Sequence, residues 1–139
     1  MPTLYVLQGH PGSGKSTFAK KLLQESADKK ICIVSADYYF EDEEGVYRFD
    51  PKLIREAHRE CRQSAFHFMD AGYSVIVDNT NTMAWEVKPY VKYALDRGME
   101  IQFIRLHGNY PNIHGVPEHK VREMKSRLEE LTLENILKE

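Results

Sequence analysis

No apolar run in this chain comes near the roughly eighteen residues that a membrane-crossing helix requires, so no membrane span is expected. Cysteine is scarce. Cys32 and Cys61 stand alone, without a CxxC and without histidines at zinc spacing, which argues against a disulfide scaffold or a zinc module and leaves two reduced, buried thiols as the expectation. Charge of one sign is also missing: 19 Lys and Arg against 21 Asp and Glu leave a net charge of −2. That gives no global basic field of the kind that marks a nucleic-acid binder. No Ser/His/Asp order is compelling for nucleophilic hydrolysis, and residues 1–3 open no charged-then-apolar leader, so a cytoplasmic location is expected. The 139 residues are read as a single domain, 1–139, long enough to bury about two thirds of the unfolded surface.

What the chain does carry is concentrated between Thr3 and Thr17. Gly9, Gly14, Lys15 and Ser16 satisfy the phosphate-loop pattern G-x-x-x-x-G-K-[ST]. Each fixed type has a chemical reason. Gly9, Gly12 and Gly14 allow positive φ and close backbone approach, so that successive N–H groups face a phosphate. Lys15 reaches the β- and γ-phosphates as a point charge, and the Ser16 hydroxyl is placed to ligate Mg²⁺. A helix opening near Gly14 turns its positive end to the same anion. From ordinary residue frequencies, a chance match anywhere in the chain has odds of about half a percent. The whole segment Gly9, His10, Pro11, Gly12, Ser13, Gly14, Lys15, Ser16 and Thr17 is therefore the candidate nucleotide-binding loop, with His10 expected only to shape its mouth.

Four short apolar runs, 4–7, 31–34, 73–77 and 101–104, alternate with longer helical stretches. Their continuous character suits parallel strands buried on both faces. Helices are expected over 15–24, from Asp50-Pro51 to a stop at Gly72, and over about 84–97 with a kink at Pro89. A last helix is expected from about Pro117, with Val121, Met124, Leu128 and Leu131 on one stripe, and 132–139 as a short turn or a frayed end. The pattern βαβαβαβα implies an α/β fold: a four-stranded parallel sheet sandwiched by helices.

Ligands of such sheets sit at the carboxyl ends of the strands. There the sequence places Ser35-Ala36-Asp37-Tyr38-Tyr39-Phe40 after the second run and Asp78-Asn79-Thr80-Asn81 after the third. Beside a phosphate loop, one carboxylate can hold Mg²⁺ and the other can accept a hydroxyl proton, although an Asp at a strand end also serves simply as a cap. The acidic run 41–44 reads as a solvated loop bordering the acceptor side, where it would repel a long polyanion unless Arg48, Lys52 and Arg55 offset it. Trp85, Tyr90 and Tyr93 either stack on an acceptor base or, the favoured alternative, pack their helix on the sheet.

The segments Gly-His-Pro-Gly-Ser-Gly-Lys-Ser-Thr, Ser-Ala-Asp-Tyr-Tyr-Phe, Val-Ile-Val-Asp-Asn-Thr-Asn and Asn-Ile-His-Gly-Val-Pro-Glu together resemble the polynucleotide-kinase-like P-loop kinases. That group moves the γ-phosphate of ATP to a hydroxyl, and its best-known members act on 5′-hydroxyl ends of DNA or RNA. The resemblance implies the P-loop kinase fold, ATP and Mg²⁺ as cofactors, Asp37 as general base with Lys15 as the other catalytic group, and Ser16 with Asp78 at the metal. Tyr39, Arg48, Asn79 and Asn81 become candidate acceptor contacts. Two departures stand out. Phe40 occupies the place of an arginine found in nucleic-acid-phosphorylating members, and Pro111-Asn112 precedes His-Gly-Val-Pro where members with a full lid have Arg-Asn. Only about ten residues part Arg105 from Gly115, too few for a helical lid carrying arginines. Arg105, His114 and Arg122 are the remaining lid candidates, with His114 more ordinarily a structural hydrogen-bonder. The expected function is transfer of the ATP γ-phosphate to a hydroxyl acceptor, foremost a 5′-hydroxyl nucleic-acid end. A small-molecule or nucleoside kinase and a nucleotide-binding interaction module with weak or no catalysis are the alternatives.

Overall fold

The computed structural model describes residues 2–10, 12–26, 30–106, 119–120, 122 and 128–138. Its strands are β1 (Thr3–Gln8), β2 (Ile31–Val34), β3 (Ser74–Asp78) and β4 (Glu100–Arg105). They form one parallel sheet in the order β2-β3-β1-β4. The helices are α1 (Lys15–Glu25), α2 (Ile54–Asp70), α3 (Ala84–Asp96) and α4 (Leu133–Leu137). The four apolar runs are thus the four strands, to within a residue or two at each end. The helix expected from Asp50-Pro51 opens with a tight turn over Pro51–Leu53, where the Asp50 carboxylate accepts the Lys52 N–H at 3.0 Å. α3 runs through Pro89 without interruption.

Successive side chains point to opposite faces, and the central strands are buried on both: β3 at every position and β1 at all but Tyr5. Leu4, Val6, Val34, Val75 and Val77 join Ala57, Cys61, Ala65 and Met69 of α2 and Val87, Val91 and Ala94 of α3 in one cluster. Leu7 and Ile76 face the other way, against Ala19, Phe18 and Leu22 of α1. Topology explains the unequal shares. The β1–β2 connection runs one way along the sheet, whereas β2–β3 and β3–β4 run back, and right-handed crossovers must then place α1 on one face with α2 and α3 on the other. β1 and β3 are neighbours whose connections leave to opposite faces, which opens a crevice at their carboxyl ends.

One expectation needs correcting. Residues 128–132 are not helical, so Leu128 and Leu131 do not continue a helical stripe. Leu131 is buried instead from an irregular segment that lies against the sheet, and α4 comes after it with Ile136 fully buried and Thr132 capping the Asn135 N–H at 3.1 Å. His119, Lys120 and Arg122 are helical, as expected; Val121 and Met124 lie outside the described residues. Both cysteines are free, Cys61 buried and Cys32 half-buried. No helix among the described residues is long and apolar enough to cross a membrane.

Candidate active site

Among the described residues ten polar or charged ones are buried, and eight of them (all but Thr3 and Ser74) lie at or just beyond the carboxyl ends of β1, β2 and β3. Burying a polar group costs free energy unless it is bonded, so such a gathering marks a place built for polar contacts. Thr3 and Ser74 satisfy each other at the opposite end of the sheet, 3.0 Å apart.

The loop after β1 folds as its glycines demand. The Gly9 N–H donates to the Thr80 carbonyl at 3.1 Å, which ties the loop to the segment after β3. A Cβ at Gly9 would stand 2.9 Å from the Ser13 Cβ and 3.0 Å from the Leu106 carbonyl, so only glycine fits. Gly12 and Gly14 have φ of 84° and 97°, the left-handed region that a Cβ opposes. The His10 carbonyl accepts the Ser13 N–H at 3.0 Å and the Lys15 ammonium at 3.2 Å. The Ser13 hydroxyl oxygen is buried in this loop with no hydrogen-bond partner among the described residues. Pro11 lies outside them, and Ser16 and Thr17 begin α1 with their side chains exposed.

Asp78 ends β3 in register with Leu7, one strand away from the loop, on the face that α1 covers. The Ser16 hydroxyl donates to the Asp78 Oδ2 at 2.9 Å. Burial lowers the pKa of Lys15, and the carboxylates of Asp78 and then Asp37 push it back up. Lys15 therefore lies in the field of both carboxylates. The loop cation, the loop hydroxyl and the two strand-end acids named from sequence converge on one place.

Asp37 sits on a tight turn, Ala36–Phe40, that is fastened from below. The Asp37 N–H donates to the Ser35 hydroxyl at 3.2 Å, and the Ala36 N–H to the Asn79 Oδ1 at 2.8 Å. Asn79 is held in turn by a weak bond from its amide to the Cys61 Sγ at 3.6 Å. Asn79, expected near the acceptor, thus acts here as the support of the turn that carries Asp37. The Tyr47 hydroxyl donates to Asp37 Oδ1 at 3.4 Å. Burial first and the Asp37 charge second push the Tyr47 phenol up to about 12, and burial with the charges of Asp78, Glu41 and Asp37 does the same for Tyr38. Both phenols are neutral donors at physiological pH. His58 on α2 faces this carboxylate too: burial and then Arg62 lower its pKa, and Asp37 opposes them.

The acidic run is exposed to solvent, as expected, and it is folded as a turn. Asp42 Oδ1 accepts the N–H groups of Glu44 and Val46, each at 2.9 Å, Gly45 takes φ of 80°, and Glu41 and Tyr47 form a single antiparallel bridge. Arg48 pairs with Asp42 through Nε at 3.3 Å. An exposed pair of this kind is worth about 0–1 kcal/mol, so Arg48 is cheaply released to another anion. Phe40 is buried and is the hub of a ring cluster: Tyr39 and Phe49 meet it at 5.4 and 5.1 Å between centroids, and Tyr47 at 6.1 Å.

Other candidates are placed differently. Asn81 is 2 % exposed, with φ of 49° and its amide donating to the Leu7 carbonyl at 2.6 Å. It stitches β1 to the tail of β3. Arg105 points at the C-terminal segment: its Nε donates to Gln8 Oε1 at 2.8 Å and a terminal nitrogen to the Glu129 carbonyl at 2.9 Å. Gln8 in turn donates to the carbonyls of Glu129 at 2.6 Å and Asn81 at 3.0 Å, and the Glu129 carboxylate caps the Ala84 N–H of α3 at 2.8 Å. Arg122 is an exposed helical residue, and His114 lies outside the described residues. Of the stacking candidates, Tyr90 is buried, Tyr93 stacks on Phe66 at 4.0 Å beneath the Arg97 guanidinium, and Trp85 is exposed. Tyr90 and Tyr93 pack their helix, the alternative favoured from sequence.

Residues 4–109 match the family described as AAA domain, and the chain belongs to that family. Human NEDD4-binding protein 2 is 34 % identical over 131 residues, an overlap of 87 % of this chain but only 7 % of that protein. A chain from the Pnkp1/Rnl/Hen1 RNA repair complex superposes with a TM-score of 0.62 at 20 % identity, covering 99 % of this chain and 42 % of its own length. The Mycobacterium tuberculosis APS kinase CysC superposes with a TM-score of 0.59 at 18 % identity, covering 93 % of this chain and 98 % of its own. The four-stranded parallel sheet with flanking helices is thus the P-loop kinase fold. This chain spans a small part of the human relative and about two fifths of the RNA repair chain.

Proposed function

We propose that the chain is a Mg²⁺- and ATP-dependent phosphotransferase whose acceptor is a hydroxyl, most readily a 5′-hydroxyl nucleic-acid end. The observation that carries this reading is the convergence of Ser16 on Asp78, with Lys15 in the field of both Asp78 and Asp37. A loop that served only as a turn has no use for a half-buried lysine in the field of two strand-end carboxylates.

The residues fit the two absent groups. The orphaned Ser13 hydroxyl and the tight approach at Gly9 suit a loop that wraps phosphate oxygens. Ser16 and Asp78 are hard oxygen donors, and one carboxylate with one hydroxyl is a sufficient protein share for Mg²⁺, which takes its other ligands from phosphates and water. The metal, when bound, supplies neutralisation of phosphate charge. In this reading Lys15 attracts the transferring phosphoryl group and stabilises the charge that grows on it. Asp37 takes the proton of the acceptor hydroxyl as that oxygen bonds to the γ-phosphorus. The bond from the γ-phosphorus to the bridging oxygen breaks, and ADP leaves with the electron pair. Tyr47 and Asn79 keep Asp37 aimed. Positioning and charge carry the rate, because phosphoryl transfer leaves little covalent work to the protein.

The RNA repair neighbour and the APS kinase neighbour share the fold, so the fold does not choose between a nucleic-acid end and a small acceptor. Local charge does favour a short one, since four consecutive acidic residues border Asp37 and the position of the resembling family's arginine is the buried Phe40. The test is a labelled-ATP screen over 5′-hydroxyl DNA and RNA of several lengths, nucleosides and sugars. Transfer is expected, with a salt slope for oligonucleotides of only about −1 to −2 and little gain in affinity beyond a few nucleotides. A steep slope that grows with length would restore an extended polynucleotide groove, and ADP release indifferent to every acceptor would sink the kinase.

The metal role of Asp78 has its own test. Asp78→Asn keeps a hydrogen-bond partner for Ser16 but loses the charge, so the Mg²⁺ concentration for half-maximal transfer should rise by about tenfold or more. An unchanged Mg²⁺ titration would remove Asp78 from the metal site.

A further inference from the structure

We infer that the hairpin after Asp37 is a ring-binding platform, so that the acceptor is a nucleoside-class molecule or end, gripped through a planar base instead of through phosphates. The inference rests on the kinase reading above and deepens it by naming what recognises the acceptor.

Position comes first. The Tyr47 hydroxyl bonds the Asp37 carboxylate, so the ring cluster starts one hydrogen bond from the group that would meet the reacting hydroxyl. Tyr47 and Phe49, two residues apart on an extended segment, point to the same side and lie nearly parallel, 13° between planes and 6.3 Å between centroids. Phe40 anchors them from the core, edge-on to both.

Exposure comes second. Phe49 is 51 % exposed although it carries no polar atom, and Tyr38, Tyr39, Val46, Leu53 and Ile54, close to it in sequence, are exposed as well. Scattered apolar residues need no explanation, but a group of them beside a catalytic carboxylate does. Phe40 is buried in the core and Tyr47 packs against it, whereas Phe49 keeps half of its surface exposed.

Charge comes third, and it selects the occupant. The hairpin 41–49 carries Glu41, Asp42, Glu43 and Glu44 against a single basic residue, Arg48, so its net charge stays negative whether or not Arg48 keeps its pair with Asp42. A polyanion is disfavoured there, whereas a neutral heterocycle with a hydroxyl a few ångströms away is not. Phe40 stands where the resembling kinases have an arginine, so the residue type that would hold a phosphate has been replaced by the one that holds the rings.

The experiment measures binding by calorimetry and transfer with labelled ATP. Adenosine, guanosine and a 5′-hydroxyl dinucleotide are compared with ribose and glucose, on the wild type and on Phe49→Ala and Phe49→Tyr. Base stacking predicts that ring-bearing acceptors bind tenfold or more tightly than ring-free ones. Phe49→Ala should weaken them by about ten- to a hundredfold, and Phe49→Tyr should restore affinity to within about twofold. ATP affinity and the melting curve, read on the same samples, report the nucleotide site and the fold. Equal affinity for ribose and adenosine, or Phe49→Ala indistinguishable from wild type, would overturn the platform while leaving the kinase standing. Absence of ATP binding in every sample would overturn the kinase reading itself and this inference with it. Concentration-dependent dimerisation lost in Phe49→Ala, with acceptor binding unchanged, would assign the rings to a second copy and overturn the inference.

Discussion

Lys15→Ala is expected to lower phosphoryl transfer by about 10³-fold or more while the protein stays folded. A neutral oxyanion donor of comparable placement is worth about 10² to 10³ in rate, and a full positive charge in a partly buried loop is worth at least as much. The cost to the fold is small by comparison. Among the described residues the Lys15 ammonium bonds the His10 carbonyl, and alanine is a good residue for the first turn of α1. Removing the lysine also removes the burial of a cation that the site itself disfavours, since desolvation outweighs its two carboxylate neighbours. Turnover and the melting temperature measured together decide the matter. Wild-type turnover in a well-folded Lys15→Ala protein would take the phosphate loop out of the chemistry.

Asp37→Asn should reduce kcat by about 10² to 10⁴, the usual worth of general-base assistance, or roughly 3 to 5 kcal/mol. ATP affinity should be nearly unchanged, because the role proposed for Asp37 is on the acceptor side and its turn is held by Ser35 and Asn79 rather than by the loop. The amide oxygen of asparagine can still accept the Tyr47 hydroxyl, so the turn keeps its geometry and the lost proton acceptor is isolated. The comparison with Asp78→Asn separates the two acids: one change acts on kcat, the other on the Mg²⁺ requirement. Lost nucleotide binding in Asp37→Asn together with normal catalysis in Asp78→Asn would mean that their roles are reversed.

The sheet was legible because its central strands β1 and β3 are buried on both faces, and a continuous Val/Ile run has few other uses in a chain of this size. The phosphate loop was legible because its glycines answer a local steric demand, written entirely within nine residues. The segments beyond β2 and β3 were legible only as a pair of acids: the topology rule placed Asp37 and Asp78 together, but nothing local says that Asn79 supports the Asp37 turn or that Asn81 faces inward to Leu7. The hairpin was hidden by its composition. Four acidic residues read as solvated, which they are, and the signal that they also form a turn is Asp42 with Gly45 three residues on, flanked by alternating rings. Leu131 misled because its spacing from Leu128 suits a helix, whereas burial was decided by a segment pairing with Gln8 and Thr82 far away in the chain. Contacts across such distances leave no periodicity behind.

Those distant contacts also bear on how the site comes into being. Gln8 leads directly into Gly9, and its side chain is held by Asn81, Arg105 and Glu129, residues 73, 97 and 121 positions away. The mouth of the phosphate loop is thus braced by three widely separated parts of the chain, and each brace closes a ring of backbone whose entropic cost rises with its length, by about 0.6 kcal/mol for each doubling. Contacts of such high sequence separation are rewarded late in folding. A loop whose own glycines can shape it early therefore acquires its fixed floor only when a segment more than a hundred residues further along has docked, and ligand-ready geometry becomes a property of the completed tertiary structure rather than of the motif.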